Sequence, residues 1–227
     1  MEKQSKEFIA RPYQIDLYEK ALKSNTIIYL PTGSGKTFIA TMLIKKLSGD
    51  VQKPYSKGGK RTIFAVNTVP LVSQQSNYLA RHTGLQCKGY CGDMNIDFWT
   101  KEIWMEELEK YQVLVMTSQI VLDIICHGYL SLSSVNLILF DECHRAVHDH
   151  PMRQIMQRFQ ECPKDKQPKV LALSATLLNS NVKLQSIIES VKSLEVTFQS
   201  KIATVGNAQG YSTNPKEVVI YYKTYEQ

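Results

Sequence analysis

No apolar run in this chain of 227 residues approaches the ~18 that a bilayer span requires; the longest, at 135–140, suits a buried strand. The polar N-terminal stretch Met1–Glu7 is not followed by an apolar core, which argues against a secretory leader. Cysteine is scarce and scattered: Cys87, Cys91, Cys126, Cys143 and Cys162 make an odd number without framework spacing. A disulfide scaffold is thereby disfavoured, and a reducing compartment, the cytoplasm, is the expected location. With 11 Gly and 8 Pro there is no collagen-like or low-complexity tract, and no repeat appears. Acidic charge is also short. The net charge is +6, and all of the excess lies in residues 1–60, which hold 11 Lys and Arg against 5 Asp and Glu. A phosphate-bearing partner is the first expectation from that asymmetry.

What is present is alternation. Short apolar, β-branched runs at 26–30, 62–66, 113–116, 135–140 and 169–173 read as strands. Their near-continuous apolarity requires cover on both faces, as in a parallel sheet flanked by helices. Amphipathic stretches at 12–23, 36–48, 70–82, 98–110, 118–127, 151–161 and 181–194 read as helices, with Pro12, Pro70 and Pro151 in first turns. The order implies one α/β domain, a doubly wound and mostly parallel sheet with helices on both faces, over 1–200. Residues 53–60 read as a flexible loop. Residues 201–227 read as a C-terminal extension with one last strand at 217–222.

Two motifs carry chemistry. Directly after the first strand comes Pro31-Thr32-Gly33-Ser34-Gly35-Lys36-Thr37, opening a helix. Gly33 and Gly35 let the backbone curl so that N–H groups converge on phosphate oxygens, Lys36 reaches the β- and γ-phosphates, and the Thr37 hydroxyl suits Mg²⁺. The strict phosphate-loop pattern would place glycine at position 30, where this chain has Leu30. The second motif, Asp141-Glu142-Cys143-His144, follows the strand 135–140, so its side chains emerge where ligands sit in open α/β sheets. Asp141 is the expected Mg²⁺ ligand and Glu142 the group that activates water. A zinc site on Cys143, His144, His148 and His150 is the rival reading, but the spacing fits no Cys₂His₂ pattern.

On these residues the chain resembles the first RecA-like lobe of a superfamily 2 DExD/H-box helicase. Arg11-Pro12-Tyr13-Gln14 is similar to the Q motif, which implies that Arg11 and Gln14 face the nucleotide and that Gln14 reads the adenine edge. Asn67-Thr68-Val69-Pro70-Leu71-Val72-Ser73-Gln74-Gln75 and Val115-Met116-Thr117-Ser118-Gln119 resemble nucleic-acid motifs, with Thr68, Gln75 and Thr117 as expected RNA contacts on loops. Ser174-Ala175-Thr176 resembles the motif that couples nucleotide state to strand binding.

Within that superfamily the likeness is to the Dicer helicase module, and in flavour to insect small-interfering-RNA Dicers. It is carried by Leu30–Phe38, Gly59-Lys60-Arg61-Thr62, Trp99-Thr100-Lys101, Tyr129-Leu130-Ser131-Leu132-Ser133 and Asp141-Glu142-Cys143-His144 with Asp149-His150-Pro151. The resemblance implies ATP and Mg²⁺ as ligands, double-stranded RNA as partner, a second RecA-like lobe and RNase III domains in the whole protein, and dsRNA-binding partner proteins. Without a second lobe's arginine finger, 227 residues are expected to bind ATP weakly and hydrolyse it negligibly. Two alternatives stand beside this reading: a non-catalytic module for RNA ends or partner proteins, and a DNA-remodelling helicase lobe.

Overall fold

The structure is a computed structural model that describes residues 9–176 and 184–205. Seven parallel strands form one sheet in the order β3-β4-β2-β5-β6-β1-β7. They are β1 (Thr26–Tyr29), β2 (Arg61–Val66), β3 (Cys87–Tyr90), β4 (Val113–Thr117), β5 (Val135–Phe140), β6 (Lys169–Ser174) and β7 (Lys201–Ala203). The five expected strands form within a residue of their expected bounds. The two missed ones are the edges. β3 (Cys-Lys-Gly-Tyr) is only partly buried and lacks the apolar run that marks the central strands, and β7 is three residues long. An edge strand has a neighbour on one side only, so sequence patterning around it is weak.

The helices are α1 (Pro12–Lys23), α2 (Lys36–Lys46), α3 (Val69–Thr83), α4 (Lys101–Lys110), α5 (Ser118–Cys126), α6 (Pro151–Gln157) and α7 (Leu184–Thr197). One face of the sheet is covered by α1, α2 and α3 through Leu17, Ile39, Leu43, Val72 and Leu79. The other is covered by α4 to α7 through Trp104, Val121, Ile155 and Leu194. β2 and β5 are therefore buried along their whole length, which is why they read as unbroken apolar runs. α4 begins at Lys101, so Trp99 precedes the helix instead of lying on it as expected.

The segment 53–60, expected to be flexible, is tied down. Gly59 N–H donates to the Pro54 carbonyl at 3.0 Å and Lys60 N–H to the Asp50 carbonyl at 3.0 Å. Arg61, almost fully buried, donates from Nε to the Leu108 carbonyl (2.5 Å) and from Nη1 to those of Lys53 (3.2 Å) and Lys60 (2.6 Å). A buried guanidinium has to place its donors on fixed acceptors, and here those acceptors are two backbone oxygens of the loop itself and one of α4. Beyond residue 200, β7 pairs with β1 (Thr26 with Lys201, Ile28 with Ala203), so the sheet continues past the expected boundary of 1–200. The expected strand at 217–222 lies outside the described residues. Among the described residues no helix is long and apolar enough to cross a membrane.

Candidate functional site

The C-terminal ends of β1 and β5 carry the two chemical motifs. The turn after β1 leads through Gly33 (φ +80°) and Gly35 (φ +88°) into α2, with Gly35 as its left-handed N-cap. Both angles favour glycine, and at Gly35 space is restricted too: a Cβ there would lie 2.3 Å from Gln14 Nε2. Lys36 folds back over the turn, its Nζ donating to the carbonyls of Leu30 at 2.7 Å and Pro31 at 3.2 Å. Ser34 Oγ also donates to the Pro31 carbonyl.

α1 holds the loop from outside. Tyr13 Oη donates to the Ser34 carbonyl at 2.7 Å and Gln14 Nε2 to the same oxygen at 3.2 Å. The other end of the Gln14 amide accepts from Arg11 N–H at 2.9 Å, closing the start of α1. Gln14, buried, thus braces the phosphate loop with both ends of its side chain. Tyr13 carries no separate signal in the sequence beyond its place beside Gln14.

Asp141 leaves β5 with its N–H on the Ala65 carbonyl (2.9 Å) and its own carbonyl accepting from Asn67 Nδ2 (3.0 Å). Glu142 adopts φ +51°, a left-handed conformation costing on the order of 1–3 kcal/mol for a non-glycine residue, and donates its N–H to Asp141 Oδ1 at 3.0 Å. Burial, then the neighbouring Glu142 carboxylate, pushes the Asp141 carboxyl above the usual range, while the Glu142 N–H and the Lys36 ammonium pull it back down. A divalent cation would relieve that crowding of negative charge.

His144 Nδ1 stands 2.8 Å from Ser174 Oγ and 3.4 Å from Glu142 Oε2, and Ser174 Oγ donates to the Thr176 carbonyl. Burial holds the imidazole below its ordinary pKa, so the contact with Glu142 is between a neutral ring and a carboxylate. Ser174 is fully buried and Ala175 nearly so. The expected coupling triplet is therefore joined to the Asp141–Glu142 motif through one histidine.

A cleft of about 920 Å³ gathers Arg11, Gln14, Thr32, Gly33, Ser34, Gly35, Lys36, Thr37, Asp141 and Glu142. Its far wall is α3, contributing Gln74, Gln75, Asn77, Tyr78, Arg81 and His82, of which the sequence marks only Gln75 as a site candidate. Gln75 is buried on a helix facing this cleft, instead of on a loop at the sheet edge as expected. Thr68 is the N-cap of α3 and Thr117 ends β4 as the N-cap of α5, both at the C-terminal sheet edge. Cys143 is buried in the core, and no group of three or more His, Cys, Asp and Glu suited to a metal forms among the described residues.

The donor set fits ATP with Mg²⁺. The left-handed glycines and a helix N-terminus suit an anion. One carboxylate (Asp141) and one hydroxyl (Thr37) are the sparse protein ligation typical of a Mg²⁺ whose other ligands are phosphates and water.

A wound parallel sheet with a phosphate loop at one strand end and an acidic pair at another defines a P-loop helicase lobe. The DEAD/DEAH box helicase family model matches residues 11–184, and the chain belongs to that family. It is 41% identical over 216 residues to Endoribonuclease Dicer of Gallus gallus, and 37% over 219 residues to Endoribonuclease Dicer homolog 1 of Arabidopsis thaliana. Each alignment takes in 94% of this chain but 11% of the relative, so the chain spans about a ninth of these proteins. Its fold is also similar to the helicase domain of Pyrococcus furiosus Hef, with a TM-score of 0.66 and 26% identity over 86% of this chain and 38% of that one.

Proposed function

We propose that this lobe is the ATP-binding half of a double-stranded-RNA-dependent ATPase in a Dicer-like endoribonuclease that makes small interfering RNAs. The observation that carries the nucleotide reading is the meeting of Lys36, Asp141 and Glu142 around one cleft from strands far apart in sequence. The RNA reading rests on the likeness to Dicer proteins.

In this reading the loop 31–37 holds the triphosphate and Lys36 exchanges the Leu30 and Pro31 carbonyls for phosphate oxygens. Thr37 and Asp141 would hold Mg²⁺, which supplies charge neutralisation on the transferring phosphoryl group. Glu142 orients the attacking water and takes its proton, and Arg11 and Gln14 close the adenine end. Thr68 and Thr117 offer hydroxyls and helix N-termini to RNA phosphates, a backbone contact that needs no base sequence. His144 and Ser174 tie the nucleotide end to Thr176. An arginine finger from a second lobe contributes about 10³–10⁵ in rate in such reactions, so residues 1–227 alone turn over negligibly. Five free cysteines agree with a reducing, cytoplasmic setting.

The test is ATP hydrolysis by the full-length protein with long double-stranded RNA and with double-stranded DNA. RNA stimulates turnover and DNA does not, and Lys36→Asn or Glu142→Gln lowers it by at least about a hundredfold. Stimulation by DNA would favour the DNA-remodelling alternative. Unchanged processing of long RNA by either variant would favour a non-catalytic module.

A further inference from the structure

A second cavity, of about 320 Å³, lies on the opposite side of the sheet from the phosphate loop and shares no lining residue with the nucleotide cleft. It opens between the short turn Ile96–Phe98, α4 and α5. Trp99, Trp104 and Tyr129 give it aromatic walls, Ile120 and Ile124 an apolar floor. The two indoles pack with ring centres 5.1 Å apart, and Tyr90 meets Trp99 edge-on at 6.0 Å. The lining carries two charged residues, Asp97 and Asp123, with His127 beside them, its ring stacked on Tyr129 at 5.4 Å.

Neither aspartate forms an ion pair among the described residues; Asp123 Oδ1 accepts from Gln119 Nε2 at 2.8 Å, and Asp97 is exposed. Anionic groups around aromatic faces suit a cation on both counts, by Coulomb attraction and by the ring quadrupole. The same aromatic cluster already draws one cation from within the chain. Lys88 Nζ stands 5.8 Å from the Trp99 ring centre and 5.3 Å from that of Tyr90, its charge matched by Glu107 at 2.7 Å.

We propose that this pocket docks an arginine or lysine side chain of a partner protein. The cavity has room for a single long side chain, and Phe98, 82% exposed at its edge, offers an apolar contact to the neighbouring residue of the partner. RNA is the disfavoured occupant, because Asp97 and Asp123 repel the phosphates that would accompany any base stacked on Trp99. The proposal is independent of ATP.

Trp99 and Trp104 are the chain's two tryptophans, so intrinsic tryptophan emission reports on this pocket directly. The protein is titrated at low salt with the blocked peptide Gly-Arg-Gly, with its uncharged citrulline counterpart and with a short oligouridylate. The arginine peptide gives a saturable change in the millimolar range, at least fivefold tighter than citrulline, and oligouridylate gives none. Asp97→Asn with Asp123→Asn weakens the arginine response at least fivefold while ATP hydrolysis by the full-length protein stays within twofold. Asp97→Asn alone, at an exposed turn position, repeats the loss in smaller degree should the double variant misfold. An absent arginine response, an equal response to citrulline, or one unmoved by the aspartate changes overturns the proposal. A saturable response to oligouridylate instead assigns the rings to nucleobases.

Discussion

The nucleotide cleft and the tryptophan pocket are built in opposite ways. The cleft relies on backbone: two left-handed glycines, a left-handed Glu142, and carbonyls of Leu30, Pro31 and Ser34 that hold Lys36, Tyr13 and Gln14. The pocket relies on side chains, rings and carboxylates projecting from the 96–104 and 120–129 segments; left-handed Asn95 and Gly128 lie beside the lining residues, none of which itself has a positive φ. A backbone site tolerates little change in local geometry but is written in one short stretch of sequence. A side-chain site tolerates geometric change and is written nowhere in particular.

That contrast explains what could be read in advance. The loop 31–37 and the pair Asp141–Glu142 announce themselves because their spacing to the preceding strand fixes where the side chains go. Lys36 and Asp141 both line the cleft. The far wall could not be read: Asn77, Tyr78, Arg81 and His82 fall on one face of α3 only once α3 has packed beside α2, and any amphipathic helix offers such residues. The same holds for Asn67 on the Asp141 carbonyl and His144 on Ser174, contacts between segments 74 and 30 residues apart. Central strands were legible from their apolar runs, whereas β3 and β7, with one neighbour each, carry no such mark.

The sharpest way to break the contrast is at glycine. Gly35→Ala puts a Cβ 2.3 Å from Gln14 Nε2 at a φ of +88°, so the Gln14 amide swings off the Ser34 carbonyl, and the lost hydrogen bond adds about 1 kcal/mol in chemical denaturation to the about 1 kcal/mol of the φ itself. Gly33→Ala meets no atom within 4 Å, and its φ of +80° alone costs about 1 kcal/mol. Equal costs for the two would mean that the Gln14 brace contributes nothing.

A smaller effect, of opposite sign, is expected at Asp141. Its carboxyl is raised by burial and by Glu142, so ionising it at neutral pH opposes folding, and the penalty disappears as pH falls through the raised value. Asp141→Asn therefore raises the melting temperature of the nucleotide-free protein at pH 7, a gain read by thermal unfolding. The gain shrinks as pH falls through the raised value and is gone below the ordinary carboxylate range. A gain that grew on acidification would contradict the assigned cause. In the tryptophan pocket Asp97 is exposed on a turn, and Asp97→Asn moves the melting temperature by less than about a degree, as for surface changes generally.

The central claim is that the cleft between Lys36 and Asp141 is a nucleotide site whose chemistry needs a second lobe. Calorimetric titration of residues 1–227 with ATP and Mg²⁺, followed by phosphate release from the same samples with double-stranded RNA added, tests it most directly. Weak saturable binding that Lys36→Asn abolishes is expected, with no release above background. Binding that ignores Lys36→Asn, or vigorous RNA-stimulated release from this lobe alone, would contradict it.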